Sequence, residues 1–317
     1  GPVEVEILHP RTAQSVRVKL SRNLAGEAVR YMLYHPGPAS QLPLFLHLAA
    51  RGDFAPLAEN ALFYRQQIVD SGSNGLYLSI TCSEDLPFIR RGEGEGPRVE
   101  ETFLGSYRLV QQRAACALWP RGTIPADYRE PTRSDLPVLL LSGEWDPTTP
   151  PAHGEQVVRH LPNGLHVRVP SGAHGFGGLT GVDCINRLKA EFVERGTVKD
   201  LDTTCVAGIK RSGFATAAPE LKTIPLADAE LSKLAGRYVA DTGEFEVEVG
   251  RVEGGRLRVA MVGGGPNFIT APVSPVKFRA AGAPGFYFIF DVKAGRVEHI
   301  YAEQGGQRIL TLIPKKP

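Results

Sequence analysis

The stretch from Pro137 to Gly175 constrains the fold most. Val138–Leu141 is a continuous apolar run too short for a helix, so it reads as a strand buried on both faces, the pattern of a parallel sheet. Asp146 follows in the Pro-rich turn Asp146-Pro-Thr-Thr-Pro-Pro. Residues 152–161 have helical spacing and stop at Pro162-Asn163-Gly164. Leu165–Val169 reads as a second strand, and His174 sits in the Gly-flanked loop after it. Strand, Asp turn, helix, strand and His loop form the tail of an open α/β sheet, where chemistry collects at the carboxyl ends of the strands.

On either side the pattern changes. Val3–Leu8 and Val16–Leu20 alternate around His9-Pro10-Arg11-Thr12, a β-hairpin. Residues 23–68 turn helical, with Asn23 as the expected cap and Leu24, Ala28, Tyr31 and Met32 on one face. Residues 75–81 form a short apolar segment, 90–97 a Gly- and charge-rich loop, and 100–116 a further helix. Residues 182–195 show helical spacing, with Ile185, Leu188, Phe192 and Val193 on one face and Gly196 as the stop. Beyond residue 236, short alternating segments recur at 245–249, 256–260, 286–290, 297–301 and 308–313, with Gly turns between them. That is an all-β meander closing into a small barrel or sandwich. The expected divisions are 1–120 (hairpin and helical cap), 121–211 (the α/β core), 212–230 (linker) and 231–317 (the β domain).

Composition removes several functions. Of 317 residues, 42% are hydrophobic and 22% charged, and the formal net charge is +2, so no basic surface for nucleic acid is indicated. No apolar run reaches the roughly 18 residues of a membrane span. Gly1-Pro2 has the form of a protease-cleavage scar, compatible with an upstream leader. Cys82, Cys116, Cys184 and Cys205 contain no Cys-x-x-Cys, which argues against zinc. Two disulfides fit the count, with local order favouring Cys82–Cys116 and Cys184–Cys205, and four buried free thiols fit it equally. Bridged cysteines would place the chain outside the cytoplasm, secreted or periplasmic.

Asp146 and His174 have the order and placement of the acid and base of a hydrolase triad, in which His takes a proton from a Ser hydroxyl and Asp orients the His. Pro137–Pro151 together with Gly172-Ala-His-Gly175 resembles the closing segment of tripeptidyl-aminopeptidase-like and prolyl-aminopeptidase-like α/β-hydrolases. Ile80–Asp85 and Cys116–Pro120 resemble that family's cap and its return to the sheet, and Asp183-Cys184 through Cys205-Val206 its closing helix and last cysteine. The residues after 230 resemble the lipocalin-like domains appended to some serine hydrolases. The resemblance implies the closing part of an α/β-hydrolase with a helical cap, a small barrel after it, and a serine exopeptidase acting on peptide N-termini without metal or organic cofactor. It also suggests Glu84 and Asp85 as the carboxylates that hold a substrate ammonium, against a solvated loop pair.

One element is missing from this sequence. Gly-x-Ser-x-Gly occurs nowhere, and Ser71-Gly-Ser73-Asn-Gly75, the nearest candidate, lacks a strand-elbow-helix context. Two strands buried on both faces cannot cover themselves. The expectation is an N-terminal segment outside this chain that pairs with them and supplies the nucleophile. The competing expectation is a non-catalytic module or inactive fragment derived from a hydrolase. Glu144 has no assigned role, His153 and Arg90-Arg91 read as surface, and Gly263-Gly264-Gly265 is no phosphate loop because neither a helix nor Lys-Ser/Thr follows it.

Overall fold

The computed structural model describes residues 1–315, apart from the side chain of Ser71; Lys316 and Pro317, the end of the expected β domain, lie outside the described residues. Strands β1 (Val3–Leu8) and β2 (Ser15–Leu20) form an antiparallel hairpin in which Val3 faces Leu20 and Leu8 faces Ser15. Helices α1 (Arg22–Met32), α2 (Pro36–Ala50) and α3 (Ala55–Ser71) follow. The cap of α1 is Ser21, whose hydroxyl accepts from the Leu24 amide, and not Asn23. Ser21 directly follows β2 and keeps an extended backbone, the non-helical conformation that a cap requires. Leu24, Ala28 and Met32 are buried as expected, and Tyr31 is half-buried. Ile7 and Leu20 of the hairpin pack with Leu24, Ala28, Leu57, Ala58 and Ala61 of α1 and α3.

The next segment buries little. Residues 75–81 belong to a helix, α4 (Asn74–Ile80), which leads into a π-helical turn, Thr81–Asp85. After α5 (Pro97–Glu100) comes α6 (Tyr107–Leu118). No residue of α4 is buried, and Cys116 alone is buried in α6. The Cys82–Cys116 disulfide ties this segment together.

Strand β3 (Val138–Gly143) pairs in parallel with β4 (Gly164–Val169), with α7 (Pro151–Val158) between them in sequence. Leu139, Leu141, Leu165, Val167 and Val169 share one face and pack on Cys184, Ile185 and Leu188 of α8 (Asp183–Arg195). The opposite face carries Ser142 and His166, hydrogen-bonded at 2.9 Å, beneath α7. Helix α7 comes so near that a Cβ on Gly154 would lie 2.6 Å from the His166 ring. Strand β3 is half-buried along Val138–Ser142, not buried on both faces, because among the described residues it pairs only with β4 and its other edge is open. Val193, expected on the inner face of α8, is exposed at 76%. The inner face consists of Cys184, Ile185 and Leu188, and Gly196 ends the helix in the left-handed conformation. A short pair, β5 (Leu179–Thr180) with β6 (Lys210–Arg211), and the Cys184–Cys205 disulfide close this layer.

After a brief helix α9 (Asp228–Ser232), the remaining strands form a closed antiparallel barrel. They are β7 (Gly236–Ala240), β8 (Glu246–Val252), β9 (Arg256–Met261), β10 (Asn267–Pro272), β11 (Lys277–Ala280), β12 (Phe286–Lys293), β13 (Arg296–Gln304) and β14 (Gln307–Pro314). Five of these eight are read from alternation; β7, β10 and β11 complete the ring. Leu257, Phe278, Ile300 and Leu312 are wholly buried at its centre.

The barrel is fastened to the cap. Arg279 of β11 donates both terminal nitrogens to Glu59 of α3, at 3.1 and 2.6 Å, and the Leu8 amide donates to the same carboxylate at 2.8 Å. Both side chains are 2% exposed or less, so the pair is fully desolvated. Phe63 of α3 stacks on Phe268 of β10, and Gln304 of β13 reaches Gly37 at the start of α2.

Candidate active site

Asp146 and His174 stand at the carboxyl ends of β3 and β4, brought together by the parallel pairing of those strands. The two turns interlock. The Glu144 amide donates to the Val169 carbonyl, the Trp145 amide to the Gly172 carbonyl at 2.8 Å, and the Ser171 amide to the Glu144 carboxylate at 2.9 Å. Glu144 thereby holds the His loop against the Asp turn. Gly143 has no substitute here: a Cβ on it would sit 2.1 Å from the Ala173 carbonyl oxygen.

His174 Nδ1 lies 3.0 Å from Asp146 Oδ2. Asp146 is buried, and all its acceptor positions are used. Oδ1 accepts from the Thr148 and Thr149 amides at 2.8 and 3.0 Å, and Oδ2 accepts from the Thr149 hydroxyl at 2.7 Å. Burial pushes the carboxyl pKa up, but these hydrogen bonds, led by the Thr149 and Thr148 amides and joined by His174, outweigh it and hold the pKa below the usual carboxylate range. An ionised, immobile carboxylate on Nδ1 selects the tautomer whose Nε2 has an open lone pair. The hydrogen-bond partners of His174 among the described residues all meet Nδ1. Its side chain is 41% exposed.

Sequence reasoning missed the cap's part in this site. Tyr34 sets its ring edge-on to His174 at 5.2 Å, and its carbonyl accepts from the Gly175 amide at 2.9 Å. Arg30 donates to the Tyr34 hydroxyl. The His35 ring lies against Gly175, where a Cβ would come within 2.4 Å of it. Desolvation on that contact, with the charge of nearby His174 second, lowers the His35 pKa. The Gly37 amide donates to the Gly177 carbonyl at 3.0 Å. The signal available was the helix break at Tyr34-His35-Pro36, which carries no motif.

An apolar cavity of about 370 Å³ lies beside the two turns, between Leu33, Pro36, Leu42 and Leu46 of the cap and Trp145 and Ala173, the residues preceding Asp146 and His174. Glu84 and Asp85 lie in the π-helical turn. Glu84 is half-buried and accepts from the Tyr128 hydroxyl, and Asp85 is exposed. Ser71 ends α3 and Ser73 caps α4, so the Ser71–Gly75 segment is helix-turn-helix, while the Ser71 side chain lies outside the described residues. His153 is exposed. The His/Asp/Glu group of the described residues able to surround a cation is Asp291, Glu298 and His299 on the barrel, where the Lys293 ammonium already bonds Glu298 at 2.7 Å.

Among the described residues no helix is long and apolar enough to cross a membrane. No curated protein matches the chain. Residues 101–205, which span α6, both site-bearing strands and α8, match the family model described as TAP-like protein, of α/β-hydrolase type. The chain therefore contains an α/β-hydrolase portion with a helical cap, followed by a closed all-β barrel.

Proposed function

We propose that Asp146 and His174 are the acid and base of a serine hydrolase, an exopeptidase that releases residues or short peptides from peptide N-termini. The observation that carries this reading is the 3.0 Å bond from His174 Nδ1 to a buried, fully hydrogen-bonded Asp146, with Nε2 left open at the strand ends. Such a pair serves a nucleophile. His174 Nε2 takes the Ser proton as the hydroxyl oxygen bonds to the scissile carbonyl carbon, then delivers it to the leaving amine nitrogen as the C–N bond breaks. Water then repeats the sequence on the acyl-enzyme: it loses a proton to His174, which returns that proton to the Ser oxygen. Asp146 stabilises the imidazolium in both halves without itself becoming protonated.

The nucleophile comes from a hydrolase segment outside residues 1–317 that pairs with the open edge of β3. Two facts support this: the sequence has no Gly-x-Ser-x-Gly, and no hydroxyl of the described residues bonds Nε2. Glu84 and Asp85 hold the substrate's free α-ammonium. The two disulfides favour an exported, oxidising compartment.

The test is a fluorophosphonate label on the intact gene product that contains this chain. Stoichiometric labelling that is abolished by His174→Ala, with turnover reduced about 10⁴-fold by Asp146→Asn, is the expected result. Glu84→Gln is expected to raise KM for substrates with a free amino terminus and to leave N-acylated ones unchanged. An unlabelled protein sinks the catalytic reading in favour of a binding module derived from a hydrolase.

A further inference from the structure

The cap brings two arginines together near His174 without a counter-charge. Arg22, Gly26 and Arg30 fall on one face of α1, at the spacing of successive turns. The chain between α5 and α6 runs along that face. Arg22 donates to the Glu100 and Thr102 carbonyls, and a Cβ on Gly26 would lie 2.8 Å from the Phe103 carbonyl oxygen. Arg30, one turn further along α1, therefore lies beside the start of α6, where Arg108 stands.

Arg30 is half-buried, donates to the Tyr34 hydroxyl, and lies against the Tyr31 and Tyr34 rings at 5.0 and 5.1 Å. Arg108 is exposed and donates to the Tyr77 hydroxyl at 3.2 Å. Among the described residues neither guanidinium forms an ion pair with a carboxylate, whereas Arg113, further along α6, meets Glu95. Burial raises the Tyr31 pKa while Arg30 and Arg108 both pull it down, so one ring feels both charges. The Tyr34 ring that packs on Arg30 also meets His174 edge-on at 5.2 Å, so a single ring separates the guanidinium from the imidazole. Two cations held this close repel each other, and an anion that joins them relieves the repulsion.

We propose that Arg30 and Arg108 bind a carboxylate of the peptide substrate, so that the site takes short peptides carrying a free carboxylate close to the cleaved bond. A guanidinium fork matches a carboxylate with two parallel hydrogen bonds, which a single ammonium cannot do. One ring beyond His174 is a distance that about two or three extended residues cover, and this sets how far past the scissile carbonyl the carboxylate falls. The placement relative to the scissile bond rests on the hydrolase reading; the binding of a carboxylate is measurable without turnover.

The experiment is a calorimetric titration of the intact gene product carrying His174→Asn, which stops turnover, with tetra-alanine and with tetra-alanine amide. The acid is expected to bind at least about tenfold more tightly than the amide, the effect of one charge-assisted hydrogen bond. In the same background, Arg108→Gln and Arg30→Lys should each remove most of that preference, and unchanged affinity for the amide is the control for folding. Ala-Ala-Ala-Glu amide separates the two sources of the carboxylate: affinity equal to that of tetra-alanine assigns an acidic side chain, and affinity equal to that of the amide assigns the peptide C-terminus. Equal binding of acid and amide, an acid preference that survives both arginine changes, or no binding of either peptide up to about 1 mM overturns the site. Acid-selective binding by a protein that fluorophosphonate leaves unlabelled keeps the carboxylate site and removes the hydrolase reading, whereas labelling with equal binding of acid and amide does the reverse.

Discussion

Two sheets in this molecule solve the same problem to different extents. The barrel pairs every strand on both sides, so it leaves no sheet edge, and Leu257, Phe278, Ile300 and Leu312 are wholly buried at its centre. The β3–β4 sheet, which carries the candidate chemistry, pairs only with itself and is half-buried along β3. A closed sheet supplies its own stability. An open one borrows it, here from α7, α8 and a disulfide. The difference places the site in the part of the molecule that most needs a neighbour.

The largest expected effect separates the two sheets directly. Phe278→Ala, in a fully buried barrel position, should cost about 3–5 kcal/mol, and Leu140→Ala, half-buried on β3, only about 1 kcal/mol. Both can be measured by chemical denaturation. Equal losses would mean that β3 is as well supported as the barrel. Next, Glu59→Ala leaves Arg279 buried and unpaired and should cost about 3–5 kcal/mol, whereas the double change Glu59→Leu with Arg279→Met should be near neutral. Arg279 Nε is buried and meets no hydrogen-bond partner among the described residues, which favours the apolar replacement.

The third effect is confined to the open sheet. Loss of Cys184–Cys205, which closes a loop of sequence separation 21, should cost about 3 kcal/mol. Followed by hydrogen exchange under reducing conditions, protection should fall in β3, β4 and α8 and persist in the barrel, whose strands contain no cysteine. The smallest effect is in pH. The Asp146 pKa is lowered in the folded state, so its contribution to stability is present above the unfolded carboxylate value of about 4 and is lost as pH falls through the folded pKa. Asp146→Asn should flatten the acid limb of the stability curve, and a barrel substitution such as Phe278→Ala should shift that curve without changing its slope.

The parts of this fold legible in sequence are those written in local patterns. The hairpin, α1 and α3, the two parallel strands and five barrel strands follow from periodicity, and the placement of Asp146 and His174 follows from where two strands end. Two of the other three barrel strands were hidden for physical reasons. Lys277–Ala280 is four residues long and buries an arginine, and Asn267–Pro272 ends in a proline, so neither alternates clearly. Val138–Leu141 looks fully buried because its composition suits a sheet interior, and composition does not show that an edge is unpaired. Tyr34 and His35 reach His174 across a helix break, and Glu59 reaches Arg279 across the whole chain. Contacts of that kind leave no periodicity to read.

The Glu59–Arg279 pair has a consequence for how the chain is made. Its partners are 220 residues apart, and Glu59 also holds the Leu8 amide of the first hairpin. At a synthesis rate of about 5–20 residues per second, Glu59 leaves the ribosome roughly 10–40 s before Arg279 does. For that interval the cap has a carboxylate at its core with no cation to meet it. The cap is translated before the barrel and is still among the last parts to reach its final state, which it does only when the barrel arrives.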